Sequence, residues 1–231
     1  MRQQRRRARF APSPQRIAIQ AVAITQTGSQ LMHLSSYQHM QDLVGRYLDR
    51  SRRLEILDVG ACDYGTADPE LPGSYRPIFE NPGWRYRGVD MVSGPNVDVV
   101  LPSPYRFPLP GSTADVIVSG QAFEHVEYFW LTFLEMARVI KPGGHIFLIA
   151  PSRGPEHQYP TDCWRFYPDG YRALARYAGI DLVEVSTDWA HHPVADSAQW
   201  GDTVGVFCRP PGGSWRAALR GALVGLASRL E

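Results

Sequence analysis

The chain has 231 residues, of which 44% are hydrophobic and 20% charged, and its net charge at pH 7 is +1. This length suits one domain with or without tails, and no apolar run approaches the roughly 20 residues that a membrane span needs. The three cysteines have no paired spacing, which disfavours a disulfide framework or a zinc site and makes the cytoplasm the expected location.

Charge is distributed unevenly along the chain. Residues 1–16 contain six arginines and no acid, residues 209–231 carry +3, and the body between them carries −8. Binding to a nucleic-acid backbone needs a basic surface, so we expect no nucleic-acid partner. The arginine-rich start precedes a short apolar stretch interrupted by Gln20, and residues 1–28 are therefore interpreted as a disordered or leader segment.

The next segments predict a helix followed by strands. A helix is predicted over residues 29–50, where apolar residues recur near helical spacing. From Leu54 the pattern changes to short continuous apolar runs, which are typical of strands buried on both faces of a parallel sheet. The predicted strands are residues 54–60, 85–90, 97–101, 114–120 and 145–150. Four prolines within residues 66–83 predict a short or broken first crossover helix.

Helical spacing returns over residues 127–144, and Pro142-Gly143-Gly144 is expected to end that helix. Its predicted apolar face consists of Phe129, Trp130, Phe133, Leu134, Ala137 and Ile140. A further helix is predicted from Pro168 to Gly179, followed by late strands over 181–190 and 203–209.

The tail, residues 210–231, is predicted to form an amphipathic helix that begins after Ser214. Three roles are open for it: packing on its own domain, a homodimer contact, and weak contact with an anionic membrane surface.

The most informative segment is ILDVGACDYG, residues 56–65. A predicted strand ends in Asp58, and Gly60 and Gly65 bracket a turn in which a ligand can approach the backbone closely. A buried carboxylate is costly without a partner, and a ligand with an ammonium group would supply one. The next predicted strand ends in Asp90, where a carboxylate can accept two hydroxyl hydrogen bonds from a ribose.

Several segments together resemble class I S-adenosylmethionine-dependent methyltransferases of the small-molecule, type 11-like kind. They are DVGACDYG (58–65), Asp90, ADVIVSGQAFEHV (114–126) and EMARVIKPGGHIFLIAPSRG (135–154). The resemblance covers about residues 40–209 and implies a methyltransferase domain over residues 29–209. It implies a Rossmann-like α/β sandwich, with a mostly parallel seven-stranded sheet, one antiparallel late strand and helices on both faces.

The resemblance also implies S-adenosyl-L-methionine as the cofactor. Asp58 would face its methionine amino end, Asp90 its ribose and Met91 its adenine, while the end of the fourth strand would close over the sulfonium. The implied cofactor-binding residues are Asp58, Gly60, Ala61, Cys62, Asp90, Met91, Ser119, Gly120 and Gln121.

Candidates for the acceptor side follow the fourth and fifth predicted strands. His125 and His157 are the candidate catalytic residues, because histidine titrates near neutral pH. The roles of general base, pocket wall and core residue stay open for His125. The polar and aromatic loop over residues 151–170 is typical of an acceptor lid. Candidate substrate-binding residues are Glu124, Arg153, Asp162, Trp164 and Arg165.

Two of the predicted substrate-binding residues have a plain structural alternative. Asp162 and Arg165 are spaced so that they could pair with each other. No metal site is expected, since His191 and His192 have no specific ligand spacing with Asp188.

The sequence therefore favours an enzyme that methylates a small molecule or a glycan, at oxygen, by in-line displacement. SGQAFEH lacks the Asn/Asp-Pro-Pro-Tyr/Phe arrangement of relatives that methylate exocyclic amines. Two alternatives stay open: a nicotinamide-dependent Rossmann oxidoreductase, and a noncatalytic assembly protein with the methyltransferase fold.

Overall fold

The computed structural model describes residues 32–66, 71–158 and 160–212. The leader predicted over residues 1–28 and the helix predicted after Ser214 lie outside the described residues. Within the described part of the chain, no helix is long and apolar enough to cross a membrane.

Helices and strands alternate along most of the chain. The helices are α1 (Leu34–Tyr47), α2 (Phe129–Val139), α3 (Pro168–Ala178) and α4 (Ala195–Ala198). The strands are β1 (Leu54–Val59), β2 (Trp84–Asp90), β3 (Val99–Val100), β4 (Ala114–Gly120), β5 (Ile140–Pro151), β6 (Asp181–Thr187) and β7 (Asp202–Cys208). Two short 3-10 turns cover Arg76–Phe79 and Phe123–His125.

The strands form one seven-stranded sheet in the order β3-β2-β1-β4-β5-β7-β6. The pairs from β3 to β5 are parallel, whereas β7 runs antiparallel to both β5 and β6. This is the predicted mostly parallel sheet with one antiparallel late strand. The chain order reverses between β1 and β4, which is where open α/β sheets bind ligands.

Two apolar layers pack on the two faces of the sheet, because alternate strand residues point to opposite faces. Leu57, Ile117 and Leu148 pack with α2 and α3 on one face. Ile56 and Val118 pack on the other face, with α1 and the Arg76–Phe79 turn. Burial on both faces explains why the strands read as continuous apolar runs, as the sequence predicts.

The segment after α2 differs from its prediction. The helix ends at Val139, and Pro142-Gly143-Gly144 lies inside β5 rather than at the helix end. The register of β4 and β5 shifts here, since Ala114 pairs with Ile140 and Val116 with His145. Gly143 N donates to Arg209 O at 2.7 Å, so the segment continues the sheet beyond the end of β7.

The buried face of α2 is also rotated relative to the prediction. Met136 and Val139 are fully buried with Phe133, whereas Phe129 and Trp130 are only partly buried at the edge of the core. The predicted face omitted Met136 and Val139, which lie against the sheet.

Other differences concern element lengths. β3 contains two residues rather than five, and the helix predicted over 29–50 begins at Leu34 among the described residues. In the segment 71–83, the described helical structure is the single 3-10 turn Arg76–Phe79, in agreement with the predicted short or broken crossover.

Candidate functional site

A cavity of about 500 Å³ lies at the carboxyl ends of β1, β2 and β4. Its size is within the range of small-molecule sites. Asp58 and Asp90 both line it, as do Gly60, Phe123 and His125. The two carboxylates at adjacent strand ends thus face one shared space.

Asp58 is almost completely buried at the end of β1, with 3% of its surface exposed. Burial raises the pKa of its carboxyl to about 7, although a hydrogen bond from the Tyr86 hydroxyl to Oδ2 opposes the rise. The Tyr86 ring is held in turn by the Arg76 guanidinium, which lies 4.5 Å from the ring centroid. A cation in the cavity would stabilise the ionised form of Asp58.

Asp90 is organised by the loop that follows β1. Its Oδ2 accepts a hydrogen bond from Cys62 N at 2.9 Å, and its Oδ1 accepts one from Val92 N at 3.2 Å. A carboxylate has about four lone-pair positions, so each oxygen retains one for a ligand. Asp90 is suited to accept two hydroxyl hydrogen bonds at once.

Gly60 makes the turn between these carboxylates possible. Its φ of 79° lies in the left-handed region that favours glycine. A Cβ at this position would also overlap the Cβ of Ala122, which lies in the segment after β4. Any larger residue would therefore strain the loop and displace the segment after β4.

Most of the residues implied to bind the cofactor lie together. Asp58, Gly60, Ala61, Cys62, Asp90, Met91, Gly120 and Gln121 all line the cavity. Ser119 does not: it is fully buried, and its hydroxyl donates to Val59 O at 2.8 Å, which joins β4 to β1. Alternation along β4 turns this side chain into the sheet instead of toward the cavity.

Gln121 connects the cavity to a buried polar cluster. It has a positive φ of 55°, and its Nε2 donates to Asp202 Oδ1 at 2.8 Å and to Ser36 Oγ at 3.1 Å. Asp202 also contacts His33 Nε2 at 3.0 Å and accepts from Ser35 Oγ at 3.0 Å. Burial alone would raise the pKa of Asp202, but these contacts outweigh it and lower the pKa.

His125 is the predicted catalytic residue that reaches the cavity wall. Its Nδ1 lies 2.6 Å from Thr161 O, a carbonyl that can only accept, so Nδ1 carries the proton. Burial lowers the pKa of His125 to about 4. The ring is therefore neutral at pH 7, with the lone pair on Nε2.

The other acceptor-side candidates lie behind the cavity or beside it. The residues that line the cavity do not include His157, Glu124, Arg153, Asp162, Trp164 or Arg165. Arg153 donates to the carbonyls of Trp189, Ala190 and Ala198, and so holds the segment before β7.

Asp162 and Arg165 form the pair that the sequence leaves open as an alternative. Arg165 Nη1 and Nη2 contact the two Asp162 oxygens at 2.6 and 2.9 Å. Trp164 Nε1 donates to Val126 O and Glu127 O, which attaches this loop to the turn after β4. Burial raises the pKa of Glu124, within that turn, to about 8.

Sequence reasoning missed two tyrosines that shape the site. Tyr75 lines the cavity, and its ring packs so closely on Gly120 that a Cβ there would overlap it. Tyr86 orients Asp58 through its hydroxyl. Tyr75 lies in a segment without periodicity, so no pattern marked it. Tyr86 precedes Asp90 on the same strand face by four residues, which is a signal that could have been used.

Comparison with known proteins agrees with this geometry. Residues 73–148 match the family described as a methyltransferase domain. An uncharacterized methyltransferase from Mycobacterium avium (strain 104) is 30% identical over 178 residues, which cover 65% of this chain. The chain spans 62% of the length of that relative.

Two solved structures share the fold. A S-adenosylmethionine-dependent methyltransferase from Methanosarcina mazei superposes with a TM-score of 0.54 at 11% identity, covering 74% of this chain and 98% of the other. Phosphoethanolamine N-methyltransferase 2 from Haemonchus contortus, in complex with phosphomonomethylethanolamine and S-adenosylhomocysteine, gives a TM-score of 0.54 at 13% identity. Here 75% of this chain and 52% of the other are covered.

Three observations agree with a methyltransferase fold. They are the sheet order, the glycine turn between two strand-end carboxylates and the match over residues 73–148. The sheet therefore has the fold of class I S-adenosylmethionine-dependent methyltransferases, and residues 73–148 match a methyltransferase domain.

Proposed function

We propose that this protein binds S-adenosylmethionine in the described cavity and transfers its methyl group to an oxygen of a small molecule or a glycan. The observation that carries the proposal is that Asp58 and Asp90, at the ends of adjacent strands, line one cavity of about 500 Å³.

The residues fit the two polar ends of the cofactor. Asp58 is buried and has a raised pKa, so its carboxylate favours a cationic partner such as the cofactor's ammonium group. Asp90 is preset by two backbone N–H groups and would accept the ribose hydroxyls. The backbone of Gly60, Ala61 and Cys62 lies between these carboxylates.

Apolar side chains that line part of the cavity fit the adenine ring. Met91, Leu101 and Phe107 line the cavity on the side of Asp90. Leu101 and Phe107 are buried, and Met91 is partly exposed at the edge. Flat aromatic ligands bind well between apolar side chains of this kind.

When bound, the cofactor supplies a methyl group on a sulfonium, which is already electrophilic. The chain then contributes chiefly by alignment, which is worth about 7–11 kcal/mol in favourable cases. His125, Tyr105 and Thr132 line the cavity beyond the strand ends and would hold the acceptor. His125 Nδ1 is bonded to Thr161 O and Nε2 faces Glu124 behind the wall, so the ring would shape the wall and the proton of the acceptor hydroxyl would pass to solvent.

The proposed acceptor follows from the charge of the chain and from the aromatic residues that line the cavity. The acidic body of the chain and the SGQAFEH sequence disfavour nucleic acid. Tyr64, Tyr75 and Tyr105 line the cavity, and aromatic rings can stack on the C–H groups of a sugar ring. A small molecule or glycan hydroxyl is therefore the proposed acceptor, and the cytoplasm remains the predicted location.

The two alternatives predict different ligands. A nicotinamide-dependent oxidoreductase on this sheet would carry three glycines in G-x-G-x-x-G, whereas Cys62 occupies the middle position here. A noncatalytic protein would retain the cavity without producing a methylated acceptor.

Calorimetric titration with S-adenosylmethionine, S-adenosylhomocysteine and NADH separates these functions. We expect both adenosyl compounds to bind and NADH to bind much more weakly. Tighter binding of NADH would overturn the proposal in favour of an oxidoreductase.

Transfer is then measured with methyl-labelled cofactor and parallel panels of glycans and phenols. Labelled glycan supports the proposed acceptor. Turnover on phenols alone would contradict the glycan assignment, and cofactor binding without any labelled product would favour the noncatalytic alternative.

A further inference from the structure

We propose that Glu124, His125 and His157 bind one divalent transition-metal ion where the Phe123–His125 turn meets the loop after β5. The proposal is independent of the cofactor, because Glu124 and His157 do not line the cavity and the buried Nε2 of His125 faces Glu124 behind the cavity wall. It differs from the sequence-based expectation, which included no metal site.

The three side chains already lie close together. One potential ligand atom from each lies within 4.8 Å of the others, and His125 Nε2 is 3.7 Å from Glu124 Oε1. Ligand atoms in a tetrahedral zinc site are about 3.4 Å apart, given metal–ligand bonds of about 2.1 Å. Small side-chain rotations would therefore bring the three atoms onto one ion.

The hydrogen bond of His125 orients it as a metal ligand. Nδ1–H donates to Thr161 O, so Nε2 faces Glu124 with its lone pair. A metal-bound histidine typically donates its other N–H to a carbonyl or a carboxylate in this way. An imidazole nitrogen and a carboxyl oxygen consequently face each other across 3.7 Å.

Glu124 provides a second, independent indication. Its side chain is 1% exposed, and neither carboxylate oxygen has a hydrogen-bond partner among the described residues. A buried carboxylate without a partner is strongly unfavourable, so without a cation the group is held as the neutral acid. A bound cation would pair with both oxygens and remove this cost.

The nearby positive charge is already balanced. Arg165 is bonded through two nitrogens to Asp162, which also accepts a hydrogen bond from His157 N at 2.8 Å. Asp162 Oδ2 lies 3.3 Å from His157 Nδ1 and so helps to position that ring. The arginine therefore does not supply the missing partner of Glu124.

A second group of similar composition lacks this indication. His39, Asp188 and Asp202 also lie within ligand distance of one another. However, Asp202 already contacts His33, Ser35 and Gln121 through both carboxylate oxygens, and His39 is bonded to Asp188 at 2.7 Å. Protein groups satisfy these atoms, and the group supports no metal proposal.

The donor set selects the class of metal. Two imidazole nitrogens and one carboxylate suit Zn²⁺ and similar transition-metal ions, whereas Mg²⁺ prefers oxygen ligands. An ion here would tie the loop, through His157, to the turn that carries Glu124 and His125.

The test uses the full-length protein without a histidine tag, after treatment with a chelator. Zn²⁺ is titrated in competition with a chromophoric chelator, and Co²⁺ is followed by its visible absorption. We expect one equivalent of either ion to bind, and Mg²⁺ not to compete. Absence of Zn²⁺ and Co²⁺ binding, or equal competition by Mg²⁺, would overturn the proposal.

Variants locate the ion. Glu124→Gln and His157→Ala should each weaken Zn²⁺ binding by at least about 100-fold, because each removes a ligand. His191→Ala is the matched control, since His191 is exposed and outside the cluster. Unchanged affinity in both ligand variants would place the ion elsewhere and refute the assignment.

Two readouts keep the test independent of folding and of the proposed function. Glu124→Gln preserves shape and removes a buried carboxyl, so circular dichroism should show a folded protein. Zn²⁺ should raise the Tm of the unaltered protein but not of this variant, and an equal rise in both would contradict the site. Binding of S-adenosylhomocysteine, measured separately, reports on the proposed function alone.

Discussion

Asp58 combines two properties that are rarely compatible, deep burial and a carboxyl group. Desolvation raises its pKa to about 7, and the hydroxyl of Tyr86 only partly opposes this. Because the folded-state pKa lies above the unfolded value, ionisation of Asp58 destabilises the empty protein as pH rises. A cationic ligand would reverse that effect locally.

This leads to a pH dependence of ligand affinity. Between pH 5.5 and 7, Asp58 must lose a proton to pair with a cofactor ammonium group, so affinity for S-adenosylhomocysteine should rise about tenfold per pH unit and level off above pH 7. Calorimetry across this range measures it. In Asp58→Asn the affinity should be low and flat over the same range; a slope retained in that variant would assign the titration to another group.

Asp90 has a different role in the proposed function, because it would contribute through hydrogen bonds to hydroxyl groups. Asp90→Ala should weaken cofactor affinity by about 1–3 kcal/mol, which is the value of charge-assisted hydrogen bonds. Asp169→Ala is the control, since Asp169 lies on α3 with a side chain that is 94% exposed. Equal dissociation constants for the Asp90 variant and the unaltered protein would refute the ribose assignment.

At the level of elements, the loop after β5 is attached to the turn after β4 by several contacts. Trp164 Nε1 donates to two carbonyls, those of Val126 and Glu127, both at 3.1 Å. Its ring also packs edge-on against Phe129, with the centroids 5.2 Å apart. These contacts make the acceptor-side loop part of the folded domain.

Trp164→Phe keeps an aromatic ring, although a smaller one, and removes the indole N–H group. We expect it to reduce the free energy of unfolding by about 1 kcal/mol and to accelerate amide exchange in residues 160–166. Urea denaturation and hydrogen exchange measure the two effects. Trp189→Phe, at a tryptophan that is 65% exposed, is the control and should change neither; equal effects of both substitutions would contradict the attachment.

Element types were predictable where the apolar pattern reflects burial on both faces. β1, β4 and β5 follow from their continuous apolar runs, and α3 follows from Pro168 and the left-handed Gly179. The end of α2 was not predictable from Pro142-Gly143-Gly144, because that segment is determined by pairing with Arg209, more than 60 residues away in sequence. Local signals cannot report such long-range partners.

At the scale of the whole molecule, a buried polar cluster joins α1 to the antiparallel strand β7. Asp202 is fully buried and contacts His33 and Ser35 from the start of α1 and Gln121 from the end of β4. Three distant parts of the chain therefore depend on one carboxylate. Its lowered pKa means that the stabilisation is present at neutral pH and is lost as pH falls through the folded-state value.

Asp202→Asn should reduce the free energy of unfolding at pH 7 by about 3 kcal/mol, since it removes one partner of a buried ionic cluster. The difference from the unaltered protein should shrink below about pH 4, where the carboxylate of the unaltered protein begins to protonate. Denaturation with urea at several pH values measures both. A difference that stays constant with pH would show that packing, and not charge, is responsible.

The site was predictable only in part. Asp58, Gly60 and Asp90 are marked by their positions at strand ends, and they meet because the carboxyl ends of parallel strands share an edge. Ser119 was placed wrongly with respect to the cavity, since its strand alternation directs it to Val59. Tyr75 and Met32 reach the cavity from segments whose position depends on tertiary packing, which the linear sequence does not encode locally.

The side chain of Gln121 has a consequence for how the cavity and the first helix influence each other. Its carboxamide borders the cavity and is bonded to the same carboxylate that anchors the first helix, and Met32, just before that helix, also borders the cavity. A molecule that rigidifies Gln121 would also favour packing of the first helix on the sheet. By thermodynamic linkage, a well-packed helix would raise the affinity for that molecule to the same degree. Slower solvent exchange of the α1 amides, when the cavity is saturated with such a molecule, would be the measurable sign of this coupling.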